Sequence, residues 1–173
     1  MAKMSEGVEW AIHLCMLLAI APPESSISSK RLASFHELPA AYLAKHLQAL
    51  SSAGIVEALP GRSGGYRLAR DAESISFLDI VDAIESDEAW FRCGEIRQCG
   101  PSAQGPGAYS LPCEIAATMW AAERAWRDHL ASVNLYTATE GLTAIAGPAQ
   151  HTATLQWLGD ETGISPQVRV SDT

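Results

Sequence analysis

The sequence predicts a mainly α-helical chain with a small β wing: a winged helix-turn-helix joined to a long dimerisation helix. Three observations carry that prediction. Between Ala41 and Ser52, Leu43, Leu47 and Leu50 recur at i, i+4 and i+7, which places them on one stripe of a helix. Directly after it come Gly54, an alternating run from Ile55 to Leu59, the turn Pro60-Gly61-Arg62-Ser63-Gly64-Gly65 and Tyr66-Arg67-Leu68, the order of strand, basic turn and strand. Beyond Cys113, apolar residues at Ile115, Met119, Ala122, Trp126, His129 or Leu130, and Val133 follow four- and three-residue steps, a seam over about three heptads.

Each element can be justified in order. From Met4 to Ala21 the pattern is helical, with Val8, Ala11, Ile12, Cys15, Leu18 and Ala19 as a wide apolar face, and Pro22-Pro23 stops it. Glu9 and His13, four residues apart, share one face of that helix. Ser28-Ser29-Lys30-Arg31 reads as a capped helix start, because a serine hydroxyl can accept from a first-turn amide. A short turn at Glu37 to Ala40 then leads into the leucine-striped helix, giving a helix-turn-helix. Lys45, Gln48 and Ser52 project from its polar face, where Lys and Gln can reach base edges or phosphates in a major groove. Arg62, with Ser63 beside it at the wing tip, suits a minor groove or a phosphate.

After the wing, Ser76-Phe77-Leu78-Asp79 carries a capping pattern, with Phe77, Ile80, Val81 and Ile84 as the buried face of a short helix. The stretch from Asp87 to Pro112 contains Cys93, Cys99 and the run from Gly100 to Gly107, which is incompatible with regular structure. A loop of that length tends to be functional or disordered. Beyond Tyr136, Thr, Ala, Gly and Pro predominate, predicting short helical turns and a mobile end. The expected division is therefore a DNA-binding lobe over 1–86, a cysteine-bearing loop over 87–112, a dimerisation helix over 113–136 and a tail over 137–173.

The chain has 173 residues and a net charge of −8, which looks wrong for a partner of DNA until it is divided. Residues 1–70 hold seven Lys and Arg against five Glu, giving +2; residues 71–173 hold five against fifteen acids, giving −10. An acidic remainder repels DNA and helps to orient the molecule. Four cysteines without a signal-peptide pattern predict a cytoplasmic protein with reduced thiols. Leu14 to Ala21, the longest apolar stretch, is too short to cross a bilayer. No G-x-G-x-x-G or nucleophile elbow stands in context, so neither an enzyme nor a small-molecule substrate is expected.

Cys93, Cys99 and Cys113 are spaced C-x5-C-x13-C. Thiolates suit iron–sulfur clusters, zinc or copper(I), and the spacing is not that of a zinc ribbon. Three thiolates leave a four-ligand site one short, and Glu9 or His13 could complete it. The alternatives are a redox disulfide pair on the loop, a solvated Glu9 and a packed His13. Cys15, on an apolar face, reads as core.

Gly7-Val8-Glu9-Trp10-Ala11-Ile12-His13, Tyr42-Leu43-Ala44-Lys45, Gly64-Gly65-Tyr66-Arg67-Leu68, the helix Ile75 to Ile84 and a Cys-bearing loop before a long helix together resemble the Rrf2 family of bacterial winged-helix regulators. The likeness covers about residues 4 to 135 of the chain. Cys93-Gly94-Glu95-Ile96-Arg97-Gln98 and Cys113-Glu114-Ile115-Ala116 are most similar to its RsrR-like branch, while the gap from Cys93 to Cys99 matches IscR-like members. The resemblance implies a homodimer on a two-fold double-stranded DNA site. It also implies a [2Fe–2S] cluster held by two loop cysteines of one subunit and a Glu and a His from the first helix of the other. By position these are Glu9, His13 and Cys113, with Cys93 or Cys99 as the remaining thiol; the branch's cysteine just before the last one is replaced here by Tyr109-Ser110-Leu111-Pro112. Ser29, Lys30, Arg31, Tyr42, Lys45, Gln48, Arg62, Ser63, Gly64, Gly65 and Tyr66 are the candidate DNA contacts. Pro39-Ala40-Ala41 stands where the family tends to carry Ser-Pro-Ser, removing two hydroxyls. The alternative to a cluster sensor is a winged-helix regulator answering to thiol oxidation or a partner protein.

Overall fold

The computed structural model describes residues 4–23, 25–61, 64–85, 89–105 and 107–163; Arg62 and Ser63 of the wing tip lie outside the described residues. The elements are α1 (Glu6–Ile20), α2 (Ser29–Phe35), α3 (Ala40–Ser52), β1 (Val56–Leu59), β2 (Gly65–Leu68), α4 (Phe77–Ile84), α5 (Glu114–Ser132) and α6 (Leu135–Thr162). This is the helical fold with a two-stranded wing that the sequence predicts.

α1 is the centre of the core, in contact with α3, α4, α6 and β2. Its Ala11, Leu14 and Cys15 are wholly buried, and burial pushes the Cys15 thiol up to about 12, so it is an inert core residue. Leu43, Leu47 and Leu50 of α3 are each 0% exposed, which completes the predicted stripe. His46, on the same face, is buried too, and the sequence pattern gave no warning of it.

The helix-turn-helix is fixed by backbone caps. Ser28 Oγ accepts from the Arg31 amide, as expected of an N-cap. At the end of α2 the Leu38 amide donates to the Ala33 carbonyl and the Glu37 amide to Ser34, with Glu37 at φ 53. α3 ends the same way, Ile55 to Leu50 and Gly54 to Ser51, with Gly54 at φ 67. Both are Schellman motifs, and the second packs buried Ile55 beside buried Leu50.

The wing pairs Val56 with Leu68 and Leu59 with Gly65, antiparallel. A further bridge, which the sequence reading lacked, joins Ile27 to Tyr66 with Ile27 N–H donating to Tyr66 O at 3.0 Å and Tyr66 N–H donating to Ile27 O at 2.9 Å. It fastens the wing to the start of α2. Gly65 is required there, because a Cβ would run into the Ile27 backbone.

α4 has the predicted capping box: Asp79 N–H donates to Ser76 Oγ at 3.1 Å, and Ser76 N–H to Asp79 Oδ2 at 2.8 Å. Val133 is the C-cap of α5 rather than part of the helix, and its carbonyl accepts from Phe77 N–H at 2.9 Å.

The C-terminal region departs from expectation. In place of short turns, Asn134 caps α6, which runs to Thr162 with a bend at Gly147-Pro148. Its second segment is held because Leu158 is 0% exposed and Trp157 meets Phe35 at 4.6 Å between ring centroids. Burial of Leu158 and partial burial of Trp157 there outweigh the poor helix propensity of a Thr- and Gly-containing stretch. Among the described residues, no helix is long and apolar enough to cross a membrane.

Candidate nucleic-acid interface and thiol loop

On α3, Tyr42, Lys45, Gln48 and Ser52 are all exposed, opposite the buried leucines. Tyr42 is 55% exposed while its ring is braced edge-on by Trp10 of α1, 5.5 Å between centroids. An aromatic ring fixed at the helix start and a cation one turn later make a surface suited to phosphate and base edges. Lys30 and Arg31 of α2 are exposed and Ser29 is partly so. Gly64, Gly65 and Tyr66 stand at the wing, but each has a local duty: a Cβ at Gly64 would strike the Leu59 carbonyl, and Tyr66 carries the Ile27 bridge. Two cations counted in the sequence face acids of the same lobe, Arg67 with Glu57 at 2.7 Å and Arg70 with Asp79 at 3.4 Å.

Behind this surface α1 and α3 touch through His46. Its Nε2 is buried without a hydrogen-bond partner, Trp10 and Tyr42 stand edge-on to its ring, and a Cβ on Gly7 would overlap it. Burial lowers the His46 pKa below the ordinary 6.5, nearby Lys45 adds to this, and Glu85 opposes it. Gly7 thus lets α3 lie against α1 within one turn of Glu9 and Trp10.

Glu9 and His13 are both exposed on α1. His13 lies 5.4 Å, centroid to centroid, from His36 in the helix-turn-helix turn. His36 has its pKa lowered by burial and then by His13.

The loop before α5 is built on side chains. Trp90 meets Trp126 at a 50° tilt, 4.0 Å between ring centroids, and its amide donates to Glu123. Arg97 holds Glu95 by two hydrogen bonds, of 2.5 and 2.8 Å. That pairing keeps the Glu95 carboxyl below the usual carboxylate range. Cys93 and Cys113 are partly buried, Cys99 is exposed, and Cys113 Sγ caps α5 by accepting from Ala116 N–H at 3.4 Å. Among the described residues no three His, Cys, Asp or Glu side chains are grouped as a metal site. Of the five candidate ligands, Glu9 and His13 belong to α1, Cys93 and Cys99 to the loop, and Cys113 to the N-cap of α5.

The α5 seam is divided. Ile115 is 69% exposed and Met119 44%, Ala122 is exposed, and Trp120, absent from the predicted set, is 38% exposed. Trp126, Leu130 and Val133 are partly buried, Trp126 by Trp90 of the same chain, and Arg127 clasps Asp82 of α4 through two hydrogen bonds.

The family model described as "Rrf2: Iron-dependent Transcriptional regulator" matches residues 4–141. The HTH-type transcriptional regulator YwgB of Bacillus subtilis, a name given as putative, is 32% identical over 83 residues, 48% of this chain and 53% of its own length. The chain thus matches about half the length of that relative. Among solved structures, IscR of T. potens superposes with a TM-score of 0.64 at 20% identity, covering 88% of this chain and 96% of that one. CymR, the global cysteine regulator of B. subtilis, superposes at 0.65 and 22%, covering 81% and 98%. At those identities the two structures speak for the fold alone, and the match over residues 4–141 establishes that the chain belongs to the Rrf2 family of transcriptional regulators.

Proposed function

We propose that this regulator is a homodimer on two-fold DNA and that a [2Fe–2S] cluster, held between subunits, sets its grip. The ligands would be Cys93 and Cys113 from the loop of one chain with Glu9 and His13 from α1 of the other. The observation that supports this reading is that Glu9 and His13, four residues apart on one face of α1, are both exposed and so open to a second chain, while Cys93 and Cys113 are partly buried on the loop and at the start of α5. A half-site of two ligands on each of two faces is what a site shared across a two-fold axis needs. The donor chemistry also fits, since soft thiolates with a harder carboxylate and imidazole are suited to iron.

When bound, such a cluster supplies a one-electron change in charge. The protein's part is mechanical. Glu9 and His13 lie on the helix whose Gly7 and Trp10 bear on His46 and Tyr42 of α3. A pull on α1 is therefore carried to the reading helix by direct contact. The spacing of the two reading helices in the dimer, which must match about one turn of DNA, then follows the state of the half-sites.

The exposed Ile115, Met119 and Trp120 supply the apolar strip for α5 to meet its copy. The test is protein purified without air: two irons and two sulfides per chain, visible absorbance lost in Cys113→Ala, and DNA binding in a gel shift that changes on oxidation or reduction. DNA binding with no iron or sulfide in the wild type would leave a regulator of the thiol-oxidation kind, with exposed Cys99 as its first candidate.

A further inference from the structure

Among its described residues the loop from Trp90 to Pro112 has no strand and a single 3-10 turn, Ile96–Gln98, so side chains must give it shape. Much of that shaping passes through Arg97. Its guanidinium makes the fork to Glu95, Nη2 donates to the Leu111 carbonyl at 2.9 Å, and the group stands 4.8 Å from the Tyr109 ring centre. Tyr109 Oη returns a hydrogen bond to the Arg97 carbonyl at 2.6 Å and accepts one from Gln104 N–H at 2.8 Å. One residue thus ties the start of the loop to its middle and its end.

The consequence for the thiols follows from where the ties fall. Cys93 stands two residues before Glu95, and Cys113 two residues after Leu111. Closing Arg97 onto Leu111 draws together two cysteines that the chain separates by a long irregular segment. The Arg97 guanidinium is held above its ordinary pKa chiefly by the hydrogen bond to Glu95, with smaller contributions from Cys113 and Cys93, and Cys99, past the 3-10 turn, is exposed.

We propose that Arg97 is the positioning residue of the thiol half-site: it selects Cys93 and Cys113, not Cys99, as the ligand pair and fixes a positive charge beside them. The second part rests on the reading above that these thiols serve a cluster. The planar fork is essential to the first part, because a Lys ammonium cannot hold Glu95 and the Leu111 carbonyl in one geometry. The charge matters to the second, because a fixed cation favours the more negative, reduced form of whatever the thiols hold.

Two measurements on the full-length chain test it. In the first, metal-free protein is treated with a short bis-maleimide and the cross-linked cysteines are mapped. Cys93–Cys113 is expected to predominate in the wild type and to fall several-fold against Cys93–Cys99 in both Arg97→Gln and Arg97→Lys. A wild type that links Cys93 mainly to Cys99, or variants that link as the wild type does, would overturn the positioning role. In the second, the reduction potential of cluster-loaded protein is titrated. Arg97→Gln is expected to shift it lower and Arg97→Lys to restore most of the shift; equal potentials in all three would overturn the role of the charge. If the wild type carries no iron, the cluster reading and the charge role fall together, and the cross-linking pattern still decides the positioning.

Discussion

In the described part of residues 4–85 most of the backbone and apolar groups are satisfied within the chain: α2 and α3 end in Schellman caps, α4 begins with a capping box, and the leucines of the α3 stripe are fully out of water. The arm from Trp90 to Trp120 does the reverse. Ile96 is 82% exposed, Leu111 75% and Ile115 69%, on one continuous stretch of loop and helix. Single exposed apolar residues are ordinary, but several large ones on one element mark a missing surface. The lobe buries its own apolar groups, and the arm leaves exposed the apolar surface that the proposed dimer would cover.

The largest effect that would break this contrast comes from trimming apolar groups on each side of it. Leu47→Ala empties a site that is 0% exposed and should cost ~2–5 kcal/mol in urea unfolding. Ile115→Ala with Met119→Ala removes comparable surface from the arm. At concentrations where the chain is monomeric that pair should leave the unfolding midpoint where it was, while sedimentation velocity shows weaker self-association. A drop for the pair as large as for Leu47→Ala would mean that α5 packs within its own chain.

What could be read from the sequence divides along the same line. The lobe was legible because its signals are local: a four-and-three leucine spacing, a glycine after it, a Ser-x-x-Asp box and a glycine-rich turn each specify one element without reference to another. His46 was not, because burial of a polar side chain depends on which helix lies opposite, and only the missing Cβ of Gly7 makes room for it. The α6 helix was missed for a similar reason, since Trp157 and Leu158 become core only once Phe35 and α1 are in place. On the loop, the cysteine spacing showed that chemistry was present but not which thiols belong together. That assignment depends on Arg97 reaching Leu111, a contact between residues fourteen apart.

A smaller effect tests the seam between α1 and the reading helix. His46 and His36 both have folded-state pKa values below the ordinary 6.5, burial being the first cause in each. The unfolded chain therefore binds protons that the folded one refuses, so their contribution to stability is complete above pH 6.5 and is lost as pH falls below it. Urea midpoints should decline between pH 7 and pH 5, and His46→Gln should flatten part of that decline. An equally steep decline in the variant would show that His46 does not sense pH through its place between Gly7 and Tyr42.

The smallest effect sharpens the comparison most, because lobe and arm each hold a glutamate in left-handed backbone, Glu37 at φ 53 and Glu95 at φ 46. That conformation costs an L-residue ~1–2 kcal/mol, against ~0.5–1 kcal/mol of chain entropy lost on fixing a glycine. Glu37 is exposed and fills the Schellman position that Gly54 fills at the end of α3, so Glu37→Gly should raise stability by ~0.5–1 kcal/mol. Glu95→Gly relieves the same backbone but releases Arg97, so it should give no gain and should loosen the loop in hydrogen exchange at Leu111 and Tyr109. If Glu95→Gly stabilised the protein as much as Glu37→Gly, the fork would be idle and the arm's shape would have to come from elsewhere.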